Sequence, residues 1–254
     1  MADSNSGLKP LSDKVIMVTG ASSGIGAAIA TRLAKLGGKI ALVGRRESEL
    51  MKYVKQIKEE NGIGIAVAAD VTKRDEVFEM VRHTELSLGP VDILVNSAGV
   101  MYYTYMKSLH YDEWEQQIDI NCKGLTTCVG AVLEGMISRK QGHIVNISSD
   151  AGKRGFPGLA VYSGTKFYVE GLSQALRHEV KEYGLRVTCI QPGDVKTNLL
   201  QHTTDLEAKK EFDGSETCKI LEADDVAKAV EYAVLQPSYV GVNEIMVEPQ
   251  RSPI

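Results

Sequence analysis

The sequence predicts an α/β fold, a doubly wound parallel sheet folded as a single domain over residues 1–254, and three observations carry that prediction. Short apolar runs alternate with amphipathic segments of helix length along the chain. The runs are apolar almost throughout instead of at every second residue, as expected of strands covered on both faces. A glycine-rich turn joins the first run to the first amphipathic segment. At 254 residues, with 43% hydrophobic and 24% charged side chains, the chain can bury a sizeable core and is neither disordered nor fibrous.

Val15 to Thr19 is the first apolar run and predicts a strand. Ile25, Ala28, Ile29, Leu33 and Leu36 then recur at helical spacing, until Gly37-Gly38 ends the helix. Ile40 to Val43 predicts the second strand, Glu47 to Glu60 a charged amphipathic helix, Ile63 to Ala69 a strand and Lys73 to Leu88 a helix. The alternation continues with a strand at Val91 to Val95, a long helix from Asp112 to Ser138, a strand at His143 to Ser148, a helix from Ala160 to Tyr183 and a strand at Arg186 to Gln191. Residues 196–220 break the rhythm: polar and weakly periodic, they read as a lid inserted in the domain. Ala223 to Leu235 resumes as a helix and Glu244 to Val247 as a last strand, so the excursion interrupts one domain and does not join two.

Charge and cysteine usage exclude several classes. Lys and Arg total 29 against 33 Asp and Glu, and a net charge of −4 offers no footprint for nucleic acid. Cys122, Cys128, Cys189 and Cys218 form no C-x-x-C pair, and Met1 to Gly7 are polar, unlike a signal peptide. Reduced thiols and a cytoplasmic location are expected. No apolar run approaches the ~18 residues of a membrane span. The sequon at Asn146 falls at the end of a strand-like apolar run and is discounted as a glycosylation site. His83, His110, His143, His178 and His202 show no metal-ligand spacing, so no metal is expected.

In an open parallel sheet, ligands lie beyond the carboxyl ends of the strands, and the segments after Thr19, Val43, Ala69, Val95, Ser148 and Ile190 converge there. Gly20, Ser22, Ser23, Gly24, Ile25 and Gly26 lie between strand and helix, where glycines let backbone amides approach a pyrophosphate. Gly20 to Gly24 also matches G-x-S-x-G, the nucleophile elbow of α/β-hydrolases, with Ser22 as nucleophile; an elbow after the very first strand leaves no upstream loop for an oxyanion donor. Where a dinucleotide site that binds a ribose 2′-hydroxyl would place a carboxylate, the second strand ends in Gly44-Arg45-Arg46. Guanidiniums suit a 2′-phosphate, so NADP is expected as cofactor. Tyr162 and Lys166 stand one helical turn apart, where an ammonium should lower the phenol toward the range of a general acid or base. Tyr103 and Lys107 have the same spacing; only Tyr162 follows a strand-end serine, Ser149, by 13 residues.

Thr19 to Gly26, Asn96-Ser97-Ala98-Gly99, Asn121, Ser149, Tyr162-x-x-x-Lys166 and Pro192-Gly193 together resemble, in order, the motif set of the short-chain dehydrogenase/reductase family in its ~250-residue single-domain, Rossmann-like branch. Ser97 departs from the second Asn common in that family. The resemblance implies hydride transfer between a nicotinamide and a carbonyl or carbinol carbon. It assigns the acid/base role to Tyr162, a hydrogen bond to the reacting oxygen to Ser149, the nicotinamide ribose to Lys166 and a relay water to Asn121. It places Asp70 and Val71 at the adenine, Asn96 and Gly99 at the nearby ribose, and Thr197 after Pro192-Gly193 at the carboxamide or pyrophosphate. Asn243 to Pro249 and Asp224-Asp225-Val226-Ala227 are similar to a subgroup of NADP-dependent 3-hydroxy acid (serine) dehydrogenases, clavaldehyde-type reductases and farnesol dehydrogenases.

The partner implied is a small alcohol or carbonyl compound, met by Val100 to Met106, Gly152 to Leu159 and the lid. Met101 to Met106 suit an apolar body; Lys153 and Arg154 could bind an anion or simply solvate the rim. Phe167, Tyr168, Gly171 and Ala175 fall on a second side of their helix and suggest a homodimer or homotetramer. A catalytically silent NADP(H)-binding regulator is the alternative, opposed by the complete set of Ser149, Tyr162 and Lys166. The Ser22 hydrolase stands third.

Overall fold

Strands and helices alternate as β1 (Val15–Thr19), α1 (Gly24–Lys35), β2 (Lys39–Gly44), α2 (Glu47–Glu59), β3 (Ile63–Ala68), α3 (Arg74–Leu88) and β4 (Ile93–Asn96). There follow α4 (Tyr111–Ile118), α5 (Leu125–Arg139), β5 (Gly142–Ile147), α6 (Ala160–Val180), β6 (Leu185–Pro192), α7 (Leu206–Glu211), α8 (Ala223–Val234) and β7 (Glu244–Val247). This is a computed structural model, and it describes residues 9–197, 203–211 and 219–251. The segment Met1 to Gly7, His202, Cys218 and parts of the 196–220 excursion lie outside the described residues.

The strands form one parallel sheet in the order β3-β2-β1-β4-β5-β6-β7. Alternate residues along each strand feed opposite cores: Ile16 and Val18 pack with α1, α2 and α8, whereas Met17 packs with α3, α5 and α6. Both faces are thereby covered, which is why all of β1 is buried and its sequence is unbroken in apolarity. The chain walks outward from β1 to β3, then returns to lay β4 on the other side of β1. A crevice opens there at the carboxyl ends.

Two expectations need correction. The helix expected from Asp112 to Ser138 is not uniformly α: a π-helical turn over Asp119–Gly124 joins α4 to α5. Gly124 allows this, because a Cβ there would stand 2.9 Å from Val71 Cγ2 and 3.2 Å from the Val71 carbonyl. The turn carries Asn121, and π-helical turns of this kind are often found at functional sites. The excursion, read as weakly periodic, contains α7 and a parallel bridge between Val195 and Leu221. Asp205 starts α7 by accepting from the amides of Glu207 and Ala208 at 3.0 and 3.2 Å, an N-cap signal visible in the sequence.

Asn146 is buried in β5, where it accepts from Asn96 Nδ2 and donates to Ser173 Oγ, both at 2.9 Å, consistent with discounting its sequon. Phe167 and Tyr168 on α6 are about half exposed. Among the described residues, no helix is long and apolar enough to cross a membrane, and no group of His, Cys, Asp or Glu is placed to hold a metal.

His143 of β5 is buried beside Thr188. The Thr188 hydroxyl donates to the Val242 carbonyl at 2.6 Å, so His143 Nε2–H donates to Thr188 Oγ1 at 2.8 Å and Nδ1 carries no proton. Burial, with Arg186 adding repulsion, pushes the imidazole down to about 3. The folded value lies below the unfolded ~6.5, so the unfolded chain binds the extra proton; the penalty is absent above ~6.5 and grows as pH falls toward 3. Urea-unfolding free energy should carry a slope of about 1.4 kcal/mol per pH unit between about pH 6 and pH 4 that His143→Gln removes. An unchanged slope in that variant would rule out His143 as the source.

Candidate active site

The site begins where the chain leaves β1. Thr19 Oγ1 accepts from the amides of Ser97 and Ala98, each at 3.1 Å, tying the first turn to the end of β4. Gly20 has φ +69°, and a Cβ there would come within 2.8 Å of Ala98 N and Cα and the Ser97 carbonyl, so no other residue fits. A Cβ on Gly26 would stand 2.5 Å from the Gly20 carbonyl, so the helix start is pressed equally close to the turn. Ser23 caps α1 without a side-chain cap bond, leaving the first amides of the helix to an anion.

Across the turn, at the end of β2, Arg46 Nη2 donates to both Ser22 Oγ and Ser23 Oγ at 3.0 Å. Ser22 thus faces a guanidinium, which cannot take its proton, and the nucleophile reading has no base there. Arg45, Arg46, Asp70, Val71, Gly99 and Thr197 line one open cleft of about 400 Å³ together with Gly20, Ser22, Ser23, Gly24, Ile25 and Gly26. Asp70 accepts from the Thr72 amide and hydroxyl at 2.9 and 2.8 Å. Against the cost of partial burial, these bonds and the charges of Arg45 and Lys73 hold its carboxyl below the usual range. It is at once a turn residue and a wall of the cleft.

At the inner end of the cleft stand Tyr162 and Lys166, buried on α6. The Tyr162 hydroxyl shares a hydrogen bond with Ser149, and Lys166 Nζ lies 5.5 Å from the centre of the Tyr162 ring while donating to the Ile147 carbonyl at 3.0 Å. The other pair is taken apart: Lys107 turns to Glu207 at 2.6 Å. One expectation is overturned here. Lys166 does not bring the Tyr162 phenol down; burial pushes it above its ordinary value, the Ser149 bond opposes, and Asp150 and Tyr103 add to the rise. Lys166 is itself brought down to about 8, first by burial. The ammonium lies over the ring and bonds a carbonyl, so desolvation of the phenolate prevails.

Asn121 accepts from the Val100 amide at 2.9 Å and donates to the Val100 carbonyl at 2.9 Å and to Thr165 Oγ1 at 3.1 Å, as a buried side chain bonded to backbone would. It is near the reacting groups all the same, since a Cβ on Gly99 would lie 3.3 Å from its Oδ1 and 3.9 Å from Lys166 Nζ. Asn96, Pro192 and Gly193 are not brought to the cleft wall. Asn96 bonds Asn146 behind the site, and the Gly193 amide donates to the Val247 carbonyl at 2.8 Å, holding the end of β6 to β7.

Of the wall residues, Ile120, Ile147 and Ser148 escaped sequence reasoning, and Ser97 and Ala98 entered it only as members of a motif. Small or apolar, they carry no chemical signal and arrive by register alone. Beyond Tyr162, Met101, Tyr103 and Phe156 pack around Leu159 and Ala151. Asp150 accepts from Ser149 Oγ at 2.8 Å; burial pushes its carboxyl up, its Ser149 and Ala151 bonds oppose, and Asp194 and Glu248 add to the rise. Lys153 is drawn to Glu170 and Glu244, and Arg154 lies over the Phe156 ring at 5.5 Å. Two residues of the 196–220 excursion are stitched to the segment after β4: the Tyr103 amide donates to Thr203 Oγ1 and the Tyr105 amide to Asp205 Oδ2, both at 3.1 Å.

Comparison with known proteins places this geometry. The short chain dehydrogenase family model matches residues 14–208. The glycine betaine reductase of Emericella nidulans is 48% identical over 246 residues, which are 96% of this chain but only 19% of that protein, so the chain spans about a fifth of that relative's length. An uncharacterized oxidoreductase of Staphylococcus saprophyticus is 42% identical over 94% of this chain and 98% of its own. Among solved structures, the closed form of a serine dehydrogenase complexed with NADP+ superposes with a TM-score of 0.86 at 32% identity, covering 94% of this chain and 96% of that one. By the span of the family match and by these identities, the chain belongs to the short-chain dehydrogenase family.

Proposed function

We propose that the chain is an NADP-dependent oxidoreductase that interconverts an alcohol and a ketone or aldehyde, with Tyr162 as general acid and base. The observation that carries this reading is the meeting of Tyr162, Ser149 and Lys166 at the inner end of a cleft whose outer end is a glycine turn flanked by arginines. The fit to NADP rests on the crowding at Gly20 and Gly26, the open amides of α1, and two guanidiniums where a carboxylate would otherwise stand.

NADP supplies the hydride chemistry. The glycine turn with Ser22, Ser23 and Ile25 would hold the pyrophosphate, Arg45 and Arg46 the 2′-phosphate, Asp70 and Val71 the adenine and Gly99 the adjoining ribose, with Asn96 bonded to Asn146 behind that wall. Thr197, carried by the Pro192-Gly193 segment, reaches the carboxamide or pyrophosphate. Tyr162 gives its proton to the carbonyl oxygen during reduction and takes it back during oxidation, while Ser149 donates to that same oxygen and Lys166 binds the nicotinamide ribose. Asn121 orients a relay water. A phenol kept protonated by burial is already the acid that reduction needs. The intact trio weighs against a silent regulator.

Asp150 and Asp194 act on Tyr103, and Asp150 on Tyr162, which places two carboxylates at the substrate mouth, while Lys153 is drawn to Glu170 and Glu244 and Arg154 already covers the Phe156 ring. The rings of Tyr103 and Tyr162 beside these carboxylates suit the cationic end of a substrate. Glycine betaine and serine, named for two relatives, both carry an ammonium. We therefore favour an alcohol or aldehyde bearing an ammonium group over one bearing only a carboxylate.

Three outcomes are expected. Tyr162→Phe should lower turnover by about 10²- to 10⁴-fold with NADPH binding retained, whereas Tyr103→Phe stays within severalfold of the parent; equal losses would remove the distinction between the two pairs. Arg45→Ala should cost about 10- to 100-fold in kcat/KM with NADPH and little with NADH, and Gly44→Asp in that background should turn preference to NADH. Equal losses with both cofactors would remove the phosphate from this corner. Across alcohols matched in length, the trimethylammonium compound should exceed the carboxylate by about tenfold or more in kcat/KM, a ratio that Asp150→Asn narrows; equal rates would end the charge argument.

A further inference from the structure

Glu170 lies on α6 one turn beyond Lys166 and is 5% exposed. Donors from two other elements converge on it: Lys153 Nζ at 3.0 Å and Gln191 Nε2 at 2.9 Å on Oε2, and Cys189 Sγ at 3.2 Å on Oε1. Lys153 Nζ reaches on to Glu244 Oε2 of β7 at 2.7 Å. None of these five residues lines the cleft.

Burying a carboxylate is costly, and apolar residues of similar volume often serve stability as well. What sets Glu170 apart is what it is tied to. Lys153 ends the short turn Asp150–Gly152 that follows Ser149. That turn presses on α6: a Cβ on Gly152 would come within 2.8 Å of Ser148 Oγ, 3.0 Å of the Lys166 carbonyl and 3.1 Å of Glu170 Cγ. The ion pair thus fastens the Ser149 turn to the very helix turn that carries Lys166. Charge follows the same path. Facing Lys166 are Tyr162 and Glu170 from its own helix, Cys122 from the π-helical turn and Cys189 from β6. Burial pushes both thiols up, Cys189 to about 12, and Glu170 is the member of that set held in an ion pair, with Lys153.

We propose that Glu170 is a positioning residue for the reaction, acting through Lys153 to hold the Ser149 turn against α6 and along the helix turn to keep Lys166 an ammonium. The inference rests on the reading of Ser149, Tyr162 and Lys166 as the reacting groups. Burial brings Lys166 down to about 8, and the Glu170 carboxylate one turn away acts against that fall. A neutral amine there would lose the charge-assisted bonds that hold a ribose hydroxyl in register.

Competitive acetylation of the whole protein with acetic anhydride from about pH 6 to about pH 10, read peptide by peptide by mass spectrometry, gives the Lys166 midpoint without a substrate. Glu170→Gln should lower that midpoint by about one pH unit and cut NADPH-linked kcat by about tenfold or more, while KM for NADPH stays within about twofold. Glu170→Gln combined with Lys153→Gln removes the buried pair as a unit and guards against misfolding of the single variant; because a positive charge is lost with the negative one, its midpoint shift should be smaller while the loss in kcat persists. Glu244→Gln should leave midpoint and kcat at parental values. A Lys166 midpoint unmoved in the folded single variant, or a parental kcat in the folded double variant, overturns the proposal. A shifted midpoint supports it even if no carbonyl compound is turned over, a result that would count against the oxidoreductase reading alone.

Discussion

The site hangs on one close approach, that of the β1–α1 turn to the end of β4. Thr19 Oγ1 takes the Ser97 and Ala98 amides, and Gly20 has no room for a Cβ against the same backbone. These contacts lock together the two strands between which the sheet reverses direction, and they set the floor of the cleft. With β1 and β4 in register, β5 brings Ser148 and Ser149 alongside, and α6 is laid over them. A Gly20 side chain would pry the strand ends apart and displace residues it never touches.

Beneath that floor a chain of buried side-chain hydrogen bonds runs between the apolar cores. Asn96 donates to Asn146, Asn146 to Ser173, and Ser173 to the Val169 carbonyl at 2.7 Å, which joins β4, β5 and α6 behind the reacting groups. Asn121 does the same between the π-helical turn, Val100 and Thr165. Buried hydrogen bonds of this kind contribute little net stability each, but leaving one unmade is expensive, so the network admits few alternative packings. Lys166 and Tyr162 inherit their orientation from it. This accounts for buried polar residues in strands otherwise built from Ile, Val and Leu.

Legibility in the sequence followed the physics of each element. Period and apolarity were enough for β1, β2, β5 and β6 to within a residue or so, because strands covered on both faces are mostly apolar and their few polar residues, such as His143, Asn146 and Thr188, do not fall into a helical or alternating pattern. The π-helical turn was invisible, since it keeps a helical period while shifting one residue, and the close approach of Gly124 to Val71 is a contact made only in the folded chain. α7 was missed although Asp205 caps it, because six residues are too few to establish a period. At the site, Gly20, Arg45, Tyr162 and Lys166 were legible by type and spacing, whereas Ile120 and Ile147 reach the cleft only through the fold. Pro192 and Gly193 show the converse: a recognisable dipeptide whose described contacts are with β7, not with the cleft.

The failed expectation about Tyr162 is the most instructive about mechanism. Sequence spacing treats Lys166 as a charge one turn away and assigns it the power to stabilise a phenolate. In the folded chain both groups have left water, and desolvation acts on them in opposite senses, raising the phenol and lowering the ammonium. Each is thereby held toward its neutral form, and the pair gains little from mutual attraction until charge develops nearby. Low polarity also gives any such charge long reach. An oxyanion forming beside Tyr162 and Ser149 would therefore find a proton already in place on the phenol and a hydroxyl donor beside it. On the proposed reading, the burial that makes Tyr162 a poor phenolate at rest is the same property that would make it a ready acid for the substrate oxygen.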